Sequence, residues 1–214
     1  MKNVRAKNND YEDALLSVLA ATTVLFVAIV FTFAIPVSGS FEAQITNAIY
    51  NWPIGLKPWF FAITQFGSGW SVAAVVLALW MLRHRILAYT VVVSSLATFA
   101  IVELLKTLIE RPRPPQVFSQ IVSRDTMAIG YGFPSGHAAM ATLLAVLLWG
   151  VTPKKFQWLL PFIAGLVCLS RIYLGVHSPL DIIGGICVGL IIGLSVKMPW
   201  LKIKSSLAHP AHKA

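Results

Sequence analysis

The chain has 214 residues, of which 57% are hydrophobic and 12% are charged, and its mean hydropathy is +0.75. A soluble domain of this length carries about a quarter charged residues, so the composition excludes an ordinary soluble protein and indicates one that lies in a membrane. The formal net charge of +9 could suggest a nucleic-acid partner, but the positions of the charges along the chain indicate membrane topology instead.

Six apolar segments approach or exceed the ~18–20 residues that a membrane-spanning helix needs. In chain order they cover residues 14–35, 59–82, 86–105, 135–151, 156–173 and 179–196, of which the fourth and fifth are short. No change of composition and no long linker divides the chain. The sequence therefore predicts an all-α integral membrane protein, a bundle of six transmembrane helices in a single domain of residues 1–214.

The lysines and arginines fall unequally on the two sides of such a bundle. Eleven lie on one side: Lys2, Arg5, Lys7, Arg83, Arg85, Lys154, Lys155, Lys197, Lys202, Lys204 and Lys213. Six lie on the other: Lys57, Lys106, Arg111, Arg113, Arg124 and Arg171. Cytoplasmic loops carry the excess of positive charge, so the first side is predicted to be cytoplasmic. The protein is then a multi-pass protein of the cell membrane with both termini cytoplasmic, as a polar start (1–13) and a tail (201–214).

The first apolar segment is followed by small residues at positions 37–39, which resembles the end of a signal peptide. However, Asp10, Glu12 and Asp13 precede it, where a signal peptide carries positive charge. The apolar run is also longer than the 7–15 residues of a signal peptide's apolar core. We therefore expect an uncleaved first helix.

Between the first two segments, Phe41, Ile45, Ile49 and Trp52 recur at helical spacing and predict an amphipathic helix. Two interpretations stay open: a helix lying flat on the outer membrane surface, or a connector packed down on the bundle. The second segment is interrupted by the Gly-Ser-Gly run of residues 67–69, which favours close packing or a kink.

The last segment carries Gly185, Gly189 and Gly193 at a spacing of four, a smooth strip for a neighbouring helix. Cys168 and Cys187 both fall within predicted spans. We interpret them as small buried apolar residues, with no disulfide and no metal site.

Three short fragments concentrate polar chemistry in this apolar chain. They are Lys106-x6-Arg113-Pro114, Pro134-Ser135-Gly136-His137 and Ser170-Arg171-x5-His177-x3-Asp181. The first two belong to the connection after the third span, and the last belongs to the connection after the fifth. Connections that follow odd-numbered spans emerge on the same face of the membrane, so the fragments can meet. The charge distribution predicts that this face is the outer one.

Lys106 ends the third span, where a lysine often reaches for the membrane surface. Arg113 follows seven residues later, so the two cations would share a helix face if the helix continued toward Pro112. Arginine suits forked recognition of phosphate oxygens, and lysine adds a point charge. Arg111 lacks this spacing, and we expect it to meet water or lipid headgroups.

Ser135 stands where the fourth helix begins and is predicted to be its N-cap, which is also its plainest interpretation. A helix start presents free N–H groups and the positive end of the helix dipole, and together these bind anions. Gly136 allows the backbone to approach a ligand closely, and His137 lies one residue further into the helix.

In the third fragment, Ser178 and Pro179 predict a helix start, and Asp181 has the position of a capping-box acid. Asp181 also follows His177 by four residues, close enough to hold the imidazole in one tautomer. A histidine oriented by a carboxylate can act as a nucleophile or a base. Arg171 at the end of the fifth span would be a costly charge near hydrocarbon, and such charges are usually functional.

The three fragments resemble the signature of the type 2 phosphatidic acid phosphatase superfamily, which includes membrane lipid phosphate phosphatases, bacterial acid phosphatases and vanadium haloperoxidases. The match runs from Lys106 to Asp181. The resemblance implies an all-α membrane bundle with its site at the outer leaflet. It also implies a set of groups that hold the substrate phosphate: Lys106, Arg113, Arg171, Ser135 and the Gly136 amide.

The residues alone leave open which histidine is the nucleophile, although the pairing with Asp181 favours His177. The resemblance implies that His177 attacks phosphorus to form a phosphohistidine, that Asp181 orients it, and that His137 protonates the leaving oxygen. It further implies that no metal and no other cofactor takes part.

The sequence therefore predicts metal-independent hydrolysis of a lipid phosphate or diphosphate, with no nucleic-acid partner. Undecaprenyl diphosphate, phosphatidylglycerol phosphate and phosphatidic acid all present such a phosphate, and the motif reads only the phosphate. One alternative is a lipid phosphotransferase that uses the same intermediate. The other is a membrane transporter, which is disfavoured because the charges cluster at one end of the predicted bundle and no span has an acid or base at its centre.

Overall fold

The structure is a computed structural model that describes residues 15–28, 30, 40–125 and 129–208, with the backbone alone for residues 40 and 198–208. The predicted polar start (1–13), part of the first predicted span and residues 209–214 of the predicted tail lie outside the described residues. Every regular element in the described part is a helix, and no strand occurs there, so the all-α prediction is confirmed.

The described residues form nine α-helices: α1 (Leu15–Ala28), α2 (Ser40–Tyr50), α3 (Lys57–Thr64), α4 (Gly69–Met81), α5 (Arg85–Ile109), α6 (Pro114–Val117), α7 (Gly136–Leu148), α8 (Leu159–Tyr173) and α9 (Pro179–Ala208). Short 3-10 turns precede α3, α4 and α8 at Ile54–Leu56, Gln65–Gly67 and Lys154–Phe156. The predicted sixth helix therefore continues beyond residue 196 into the predicted tail.

Three segments of the described chain are long and apolar enough to cross a bilayer: Arg85–Val117, Lys154–Tyr173 and Pro179–Lys197. The pair α3 and α4, bent by 56° at the break between them, is a fourth candidate if it counts as one span. The 13 residues of α7 extend only ~20 Å, against ~30 Å of hydrocarbon in a bilayer. Three of the six predicted spans thus have helices of spanning length, a fourth reaches it if α3 and α4 count as one span, and α1 and α7 are shorter.

The helix α7 lies at the centre of the bundle and packs against α9, α8 and α5. The glycine strip of α9 faces it: a Cβ at Gly185 would collide with the carbonyl oxygen of Ser135, and one at Gly189 with that of Ala139. The predicted close packing along this strip is therefore confirmed. It brings the starts of α7 and α9 together at one end of the bundle.

The bend between α3 and α4 occurs at the predicted Gly-Ser-Gly run. A Cβ at Gly67 would lie 2.6 Å from the carbonyl oxygen of His137 and 2.8 Å from Cγ1 of Val167, so only glycine fits there. Ser68 caps α4, and its hydroxyl oxygen accepts the N–H of Trp70 at 3.2 Å. The predicted kink and close packing are both confirmed, and they press the bend against the start of α7.

The helix α2 packs on α8 and α9. On its inner face Ile49 contacts the buried cluster that contains Tyr173 and Leu174, whereas Phe41 is 73% exposed. Of the two interpretations left open by the sequence, the structure favours the connector packed down on the bundle. This packing places α2 beside the connection between α8 and α9.

Candidate active site

The predicted site residues all lie at one end of the bundle, in the elements that follow α5 and α8. Their positions are Lys106 in the last turn of α5, Arg113 before α6, Ser135, Gly136 and His137 at the start of α7, Arg171 in the last turn of α8, His177 before α9, and Asp181 in the first turn of α9. The two connections therefore meet, because α5 and α8 both end on this side.

A tight turn after α8 sets the position of His177. Gly175 has φ +69°, the left-handed conformation that favours glycine after a helix. A Cβ at this position would also lie 3.0 Å from Cγ2 of Ile121 and from Cε2 of Tyr50. The chain then folds back, and the backbone N–H of His177 donates to the carbonyl oxygen of Arg171 at 3.3 Å.

The imidazole of His177 is 2% exposed and lies between a cation and a carboxylate. Its Nε2 is 3.4 Å from Nη1 of Arg113, and its Nδ1 is 3.5 Å from Oδ2 of Asp181. A guanidinium can only donate, so this contact is favourable when Nε2 is unprotonated and the proton is on Nδ1. Burial lowers the pKa of His177 to about 4, so the ring is neutral at physiological pH. Its free lone pair is then on Nε2.

The contact of Nδ1 with Asp181 is electrostatic, because 3.5 Å is too long for a good hydrogen bond and Nδ1 has no hydrogen-bond partner among the described residues. Such contacts in ligand-free sites often tighten when the substrate binds.

Asp181 is fully buried and is held from several directions. Its Oδ2 accepts the backbone N–H of Ser178 at 2.9 Å and the Ser178 hydroxyl at 3.2 Å, so the predicted capping role is confirmed. Its Oδ1 accepts from Nη1 of Arg111 at 2.6 Å. Its backbone carbonyl accepts the N–H of Ser135 at 2.9 Å, which joins α9 to α7.

The guanidinium of Arg113 is held by backbone carbonyls. Its Nε donates to Gly130, its Nη2 to Ile129 and its Nη1 to Val176, each at 2.9 Å. These bonds fix the orientation of a cation that is 8% exposed, beside Nε2 of His177.

Arg171 is 3% exposed and is the second fixed cation. Its Nη1 donates to Oγ1 of Thr64 at 3.0 Å and to Oδ2 of Asp125 at 2.9 Å. Its Nε has no hydrogen-bond partner among the described residues. A buried N–H in that state can donate a hydrogen bond to an oxygen of a ligand.

At the start of α7, the hydroxyl oxygen of Ser135 accepts the N–H of Ala138 at 3.5 Å, so the predicted N-cap is confirmed. A Cβ at Gly136 would lie 3.6 Å from Cγ1 of Val102, an ordinary contact. The packing of the protein itself therefore does not require glycine at this position. His137 follows within the first turn and is half-buried.

A cavity of about 520 Å³ opens between the bend of α3 and α4 and the start of α7. Its polar lining includes His137, Arg171, Asp125 and Thr64, and its apolar lining includes Phe61, Trp70 and Ala73. Phe61 and Trp70 are exposed. The cavity therefore joins the cationic end of the site to an apolar surface, while His177 is not part of its wall.

Lys106 and Arg113 do not share a helix face, because α5 ends at Ile109 and Glu110 has φ +51°. The cause is Pro112, which lacks an N–H and disfavours helical geometry at the residue before it. Nζ of Lys106 lies 2.7 Å from Oε1 of Glu103, one turn back along α5.

The expectation for Arg111 is wrong, because its side chain bridges two carboxylates. Nη1 donates to Oδ1 of Asp181 at 2.6 Å, and Nη2 donates to Oε2 of Glu42 at 2.5 Å. The turn after Ile109 reverses the chain, and the carbonyl oxygen of Arg111 accepts the N–H of Gly132 at 2.7 Å. This turn directs the guanidinium toward α2 and α9 instead of the lipid.

The thiols of Cys168 and Cys187 are free and buried, as predicted for small apolar residues. Among the described residues, no group of three or more His, Cys, Asp or Glu side chains is arranged to hold a metal ion.

Comparison with known families identifies this arrangement. A model of the PAP2 superfamily matches residues 85–203, more than half of the chain and a stretch that contains all the predicted site residues. The chain belongs to the PAP2 superfamily. This membership confirms the resemblance inferred from the three fragments.

Two relatives of this PAP2 protein are lipid phosphatases by name. An undecaprenyl-diphosphatase from Sulfolobus acidocaldarius is 34% identical over 152 residues, which cover 70% of this chain and 73% of that protein. Sphingosine-1-phosphate phosphatase 2 from Mus musculus is 36% identical over 110 residues, which cover 47% of this chain and 30% of that protein. The prediction of a phosphatase that acts on lipid phosphates is confirmed by these comparisons.

A solved structure shares the fold. A transmembrane PAP2-type phosphatidylglycerolphosphate phosphatase from Bacillus subtilis aligns with a TM-score of 0.74 at 24% identity, over 86% of this chain and 96% of that one. At this identity the likeness concerns the fold alone. It agrees with a helical bundle in a membrane.

Sequence reasoning missed several residues that hold the PAP2 site together: Glu42, Thr64 and Asp125, and the contacts of Arg111. The sequence signal that could have pointed to Glu42 and Asp125 is the scarcity of acidic residues. The chain has eight acidic residues, and three of them fall within the first 13 positions. An isolated carboxylate between apolar segments is therefore worth treating as a partner of a site cation.

Proposed function

We propose that this PAP2 protein hydrolyses a lipid phosphate or diphosphate at the outer face of the cell membrane, through a phosphohistidine on His177 and without a metal ion. The observation that carries the proposal is the environment of His177, with Arg113 beside one ring nitrogen and Asp181 beside the other. The lone pair of Nε2 then lies next to a fixed cation that can hold an anionic phosphate.

The phosphate would be held by Arg113, Arg171 and Lys106, with Ser135 and the Gly136 amide at the start of α7. The two arginines are already oriented by hydrogen bonds, so they stabilise charge on the equatorial oxygens without rearranging in the transition state. The bond between Lys106 and Glu103 is partly exposed and contributes little, so exchanging Glu103 for a phosphate costs little.

In the first chemical step, Nε2 of His177 attacks phosphorus and the bond from phosphorus to the leaving oxygen breaks. His137 donates a proton to that oxygen, and the negative charge of the bound phosphate favours a proton on His137. In the second step, water attacks the phosphohistidine, His137 accepts a proton from that water, and inorganic phosphate leaves.

The cavity supports this division of labour between the histidines. In-line displacement places the nucleophile and the leaving group on opposite sides of phosphorus. His137 lines the cavity with Phe61 and Trp70, whereas His177 is backed by Asp181. The leaving lipid would therefore lie on the side of His137, against an apolar wall.

We further propose a single domain of residues 1–214 that crosses the membrane six times, with both termini cytoplasmic. The shorter helices α1 and α7 would be the first and fourth spans. The charge distribution supports an outward-facing site, since eleven of the 17 lysines and arginines fall on the opposite side.

The substrate test is phosphate release from undecaprenyl diphosphate, phosphatidylglycerol phosphate and phosphatidic acid in detergent, with and without EDTA. We expect at least one lipid to be hydrolysed equally well with EDTA. Loss of turnover that a divalent ion restores would contradict the metal-free mechanism, and no release from any lipid would contradict the proposed function. Transfer of the phosphate to an added lipid instead of water would identify a phosphotransferase.

The topology test uses single cysteines in a background with Cys168→Ser and Cys187→Ser. Val122, which is 68% exposed in the connection between α6 and α7, is changed to cysteine, as is the exposed Lys154 before α8. A membrane-impermeant maleimide on intact cells should label the first variant and not the second. The reverse pattern would contradict the outward-facing site.

A further inference from the structure

The side chain of Arg111 links three elements that come together beside the nucleophile. It follows α5, contacts Asp181 of α9 through Nη1, and contacts Glu42 of α2 through Nη2. Asp181 in turn lies against Nδ1 of His177. A continuous series of charged contacts therefore runs from the surface helix α2 to the ring that would attack phosphorus.

Glu42 is fixed at both of its oxygens. Its Oε2 accepts from Arg111, and its Oε1 accepts the backbone N–H of Leu180 at 3.1 Å. That N–H belongs to the first turn of α9, where the helix itself offers no acceptor. Glu42 therefore holds the guanidinium of Arg111 and also the start of the helix that carries Asp181.

A phosphate-binding role does not fit Arg111, because its Nη1 and Nη2 are each bonded to a carboxylate. Two carboxylates largely cancel the charge that a phosphate would meet. Arg113 differs, since its acceptors are neutral carbonyls and its guanidinium stays cationic beside Nε2 of His177.

We infer that Arg111 is a positioning residue for the nucleophile, that it acts on His177 through Asp181, and that Glu42 of α2 holds Arg111 in place. The inference rests on the proposed function, because it assigns His177 as the nucleophile. It gives the helix α2 a part in catalysis, although α2 lies outside the three sequence fragments and outside residues 85–203.

The physical reason is that Asp181 is fully buried and ionised. A buried carboxylate that loses one of its cations is strongly destabilised, and Asp181 relieves this by moving toward another donor. That movement alters the distance between its carboxylate and Nδ1 of His177. Removing Arg111 should therefore slow the attack on phosphorus while leaving the phosphate ligands in place.

The test compares Arg111→Gln, Arg111→Lys, Glu42→Gln and the double variant Glu42→Gln/Arg111→Gln with the wild type. Lys57→Gln is the matched control, because it removes one exposed cation. The substrate probe is dioctanoyl phosphatidic acid, or the lipid that the wild type hydrolyses best. Inorganic phosphate serves as a competitive probe of the phosphate ligands.

For Arg111→Gln we expect a roughly 10- to 100-fold slower formation of the phosphoenzyme, by analogy with the loss seen when a group that orients a metal-binding histidine is removed. The KM and the inhibition constant of inorganic phosphate should stay within about twofold, because uniform binding is unaffected. In Arg113→Gln both constants should rise. Arg111→Lys should recover part of the rate, since a lysine restores the charge but not the forked geometry.

Removing Arg111 and removing the charge of its partner Glu42 should shift the acid limb of kcat/KM in opposite directions. The acid limb reports protonation of His177 in the free protein. The charged groups that face the ring are Asp181, Arg113 and Arg171. Loss of Arg111 leaves the full negative charge of Asp181 acting on the ring, so the limb should move to higher pH. In Glu42→Gln the charge of Arg111 acts more fully on Asp181, and the limb should move to lower pH.

A purely structural role would not produce these opposite shifts. The double variant should be no slower than Arg111→Gln alone, because the amide oxygen introduced by Glu42→Gln can still accept the N–H of Leu180 and Glu42 otherwise acts through Arg111. The inference is contradicted if Arg111→Gln weakens phosphate inhibition as Arg113→Gln does, or if it behaves like Lys57→Gln. If Arg111→Gln fails to fold, Arg111→Lys and Glu42→Gln decide: unchanged rates and acid limbs in both would contradict it.

These results are separate from the test of the proposed function. A wild type that releases phosphate from no lipid would contradict the proposed function. A wild type that hydrolyses a lipid, together with an Arg111→Gln variant of equal activity, would contradict only the inference about Arg111.

Discussion

The two ends of the helix bundle carry positive charge in different ways. At the site end, the arginines are bonded to carbonyls and carboxylates, as the contacts of Arg111, Arg113 and Arg171 show. At the opposite end four cations are exposed, namely Arg83, Arg85, Lys154 and Lys155, and Lys197 is half-buried. Two of these cations lie over aromatic rings: Arg85 is 5.3 Å from the ring of Trp80, and Lys155 is 4.9 Å from the ring of Phe156.

The carboxylates are also distributed unequally between the two ends. All five acidic residues in the described part of the chain lie toward the site end: Glu42, Glu103, Glu110, Asp125 and Asp181. A fixed cation can stabilise a developing charge without reorganising, whereas an exposed one contributes mainly to topology. The comparison teaches that Glu42, Asp125 and Asp181 hold arginines of the site end in fixed orientations.

The largest loss of activity among the variants of the two ends should come from Asp181→Asn, which keeps the shape of the side chain and removes its charge. The variant should lose up to about 10⁴-fold in kcat, by analogy with another histidine that loses its orienting carboxylate. Glu110→Gln at the same end is the control and should stay close to wild type. Phosphate release from the lipid measures both variants. A loss below tenfold in Asp181→Asn would contradict the role of Asp181 in orienting His177.

His137→Ala should give the next largest effect, and the effect should depend on the leaving group. With an alkoxide leaving group, as in phosphatidic acid, we expect a loss of about 10²-fold or more, the range of general acid catalysis. With a diphosphate the loss should be smaller, because the leaving group is already a stable anion. Equal losses on both substrates would show that His137 does not protonate the leaving oxygen.

Asp125→Asn tests whether an ion pair at the site end also stabilises the fold. Arg171 and Asp125 are both largely buried, so the weaker bond to a neutral amide should cost about 2 kcal/mol of unfolding free energy. Thermal unfolding in detergent measures the change. The control is Gln120→Ala, which removes an exposed hydrogen bond to Asn47 and should change little. An unchanged midpoint in Asp125→Asn would mean that the ion pair does not stabilise the fold.

The smallest effect should come from the opposite end. Arg83→Gln removes an exposed cation from the turn before α5, at the end of that helix far from the site, so phosphate release should stay within about twofold of wild type, as for most surface changes. Activity assays in detergent measure this, where topology is no longer in question. A tenfold loss would show that both ends of the bundle contribute to the reaction.

Local signals in the sequence predicted much of the site. The caps at Ser135 and Ser178, the acid at Asp181 and the kink at the Gly-Ser-Gly run depend on neighbours within four residues, so the sequence alone reveals them. The glycine strip of α9 was predicted for the same reason, since its spacing follows from helix geometry.

Contacts between distant segments could not be predicted in this way. Arg111 meets Glu42 across 69 positions, and Arg171 meets Asp125 across 46. Neither pair has a fixed spacing, because each depends on how the connections fold over the bundle. The condition for a shared face of Lys106 and Arg113 is not met, because α5 ends at Ile109 and Pro112 disfavours helical geometry at the residue before it.

The central claim, that His177 carries the phosphoryl group, is tested most directly by trapping the covalent intermediate. Wild type and His177→Ala are mixed with a lipid diphosphate labelled in its terminal phosphate and quenched in alkaline detergent, because phosphohistidine is stable in base and labile in acid. Label should remain on the wild type, and also on His137→Ala, in which removal of the phosphate by water is slowed. No label should remain on His177→Ala. Label on His177→Ala would place the nucleophile at another residue and contradict the account.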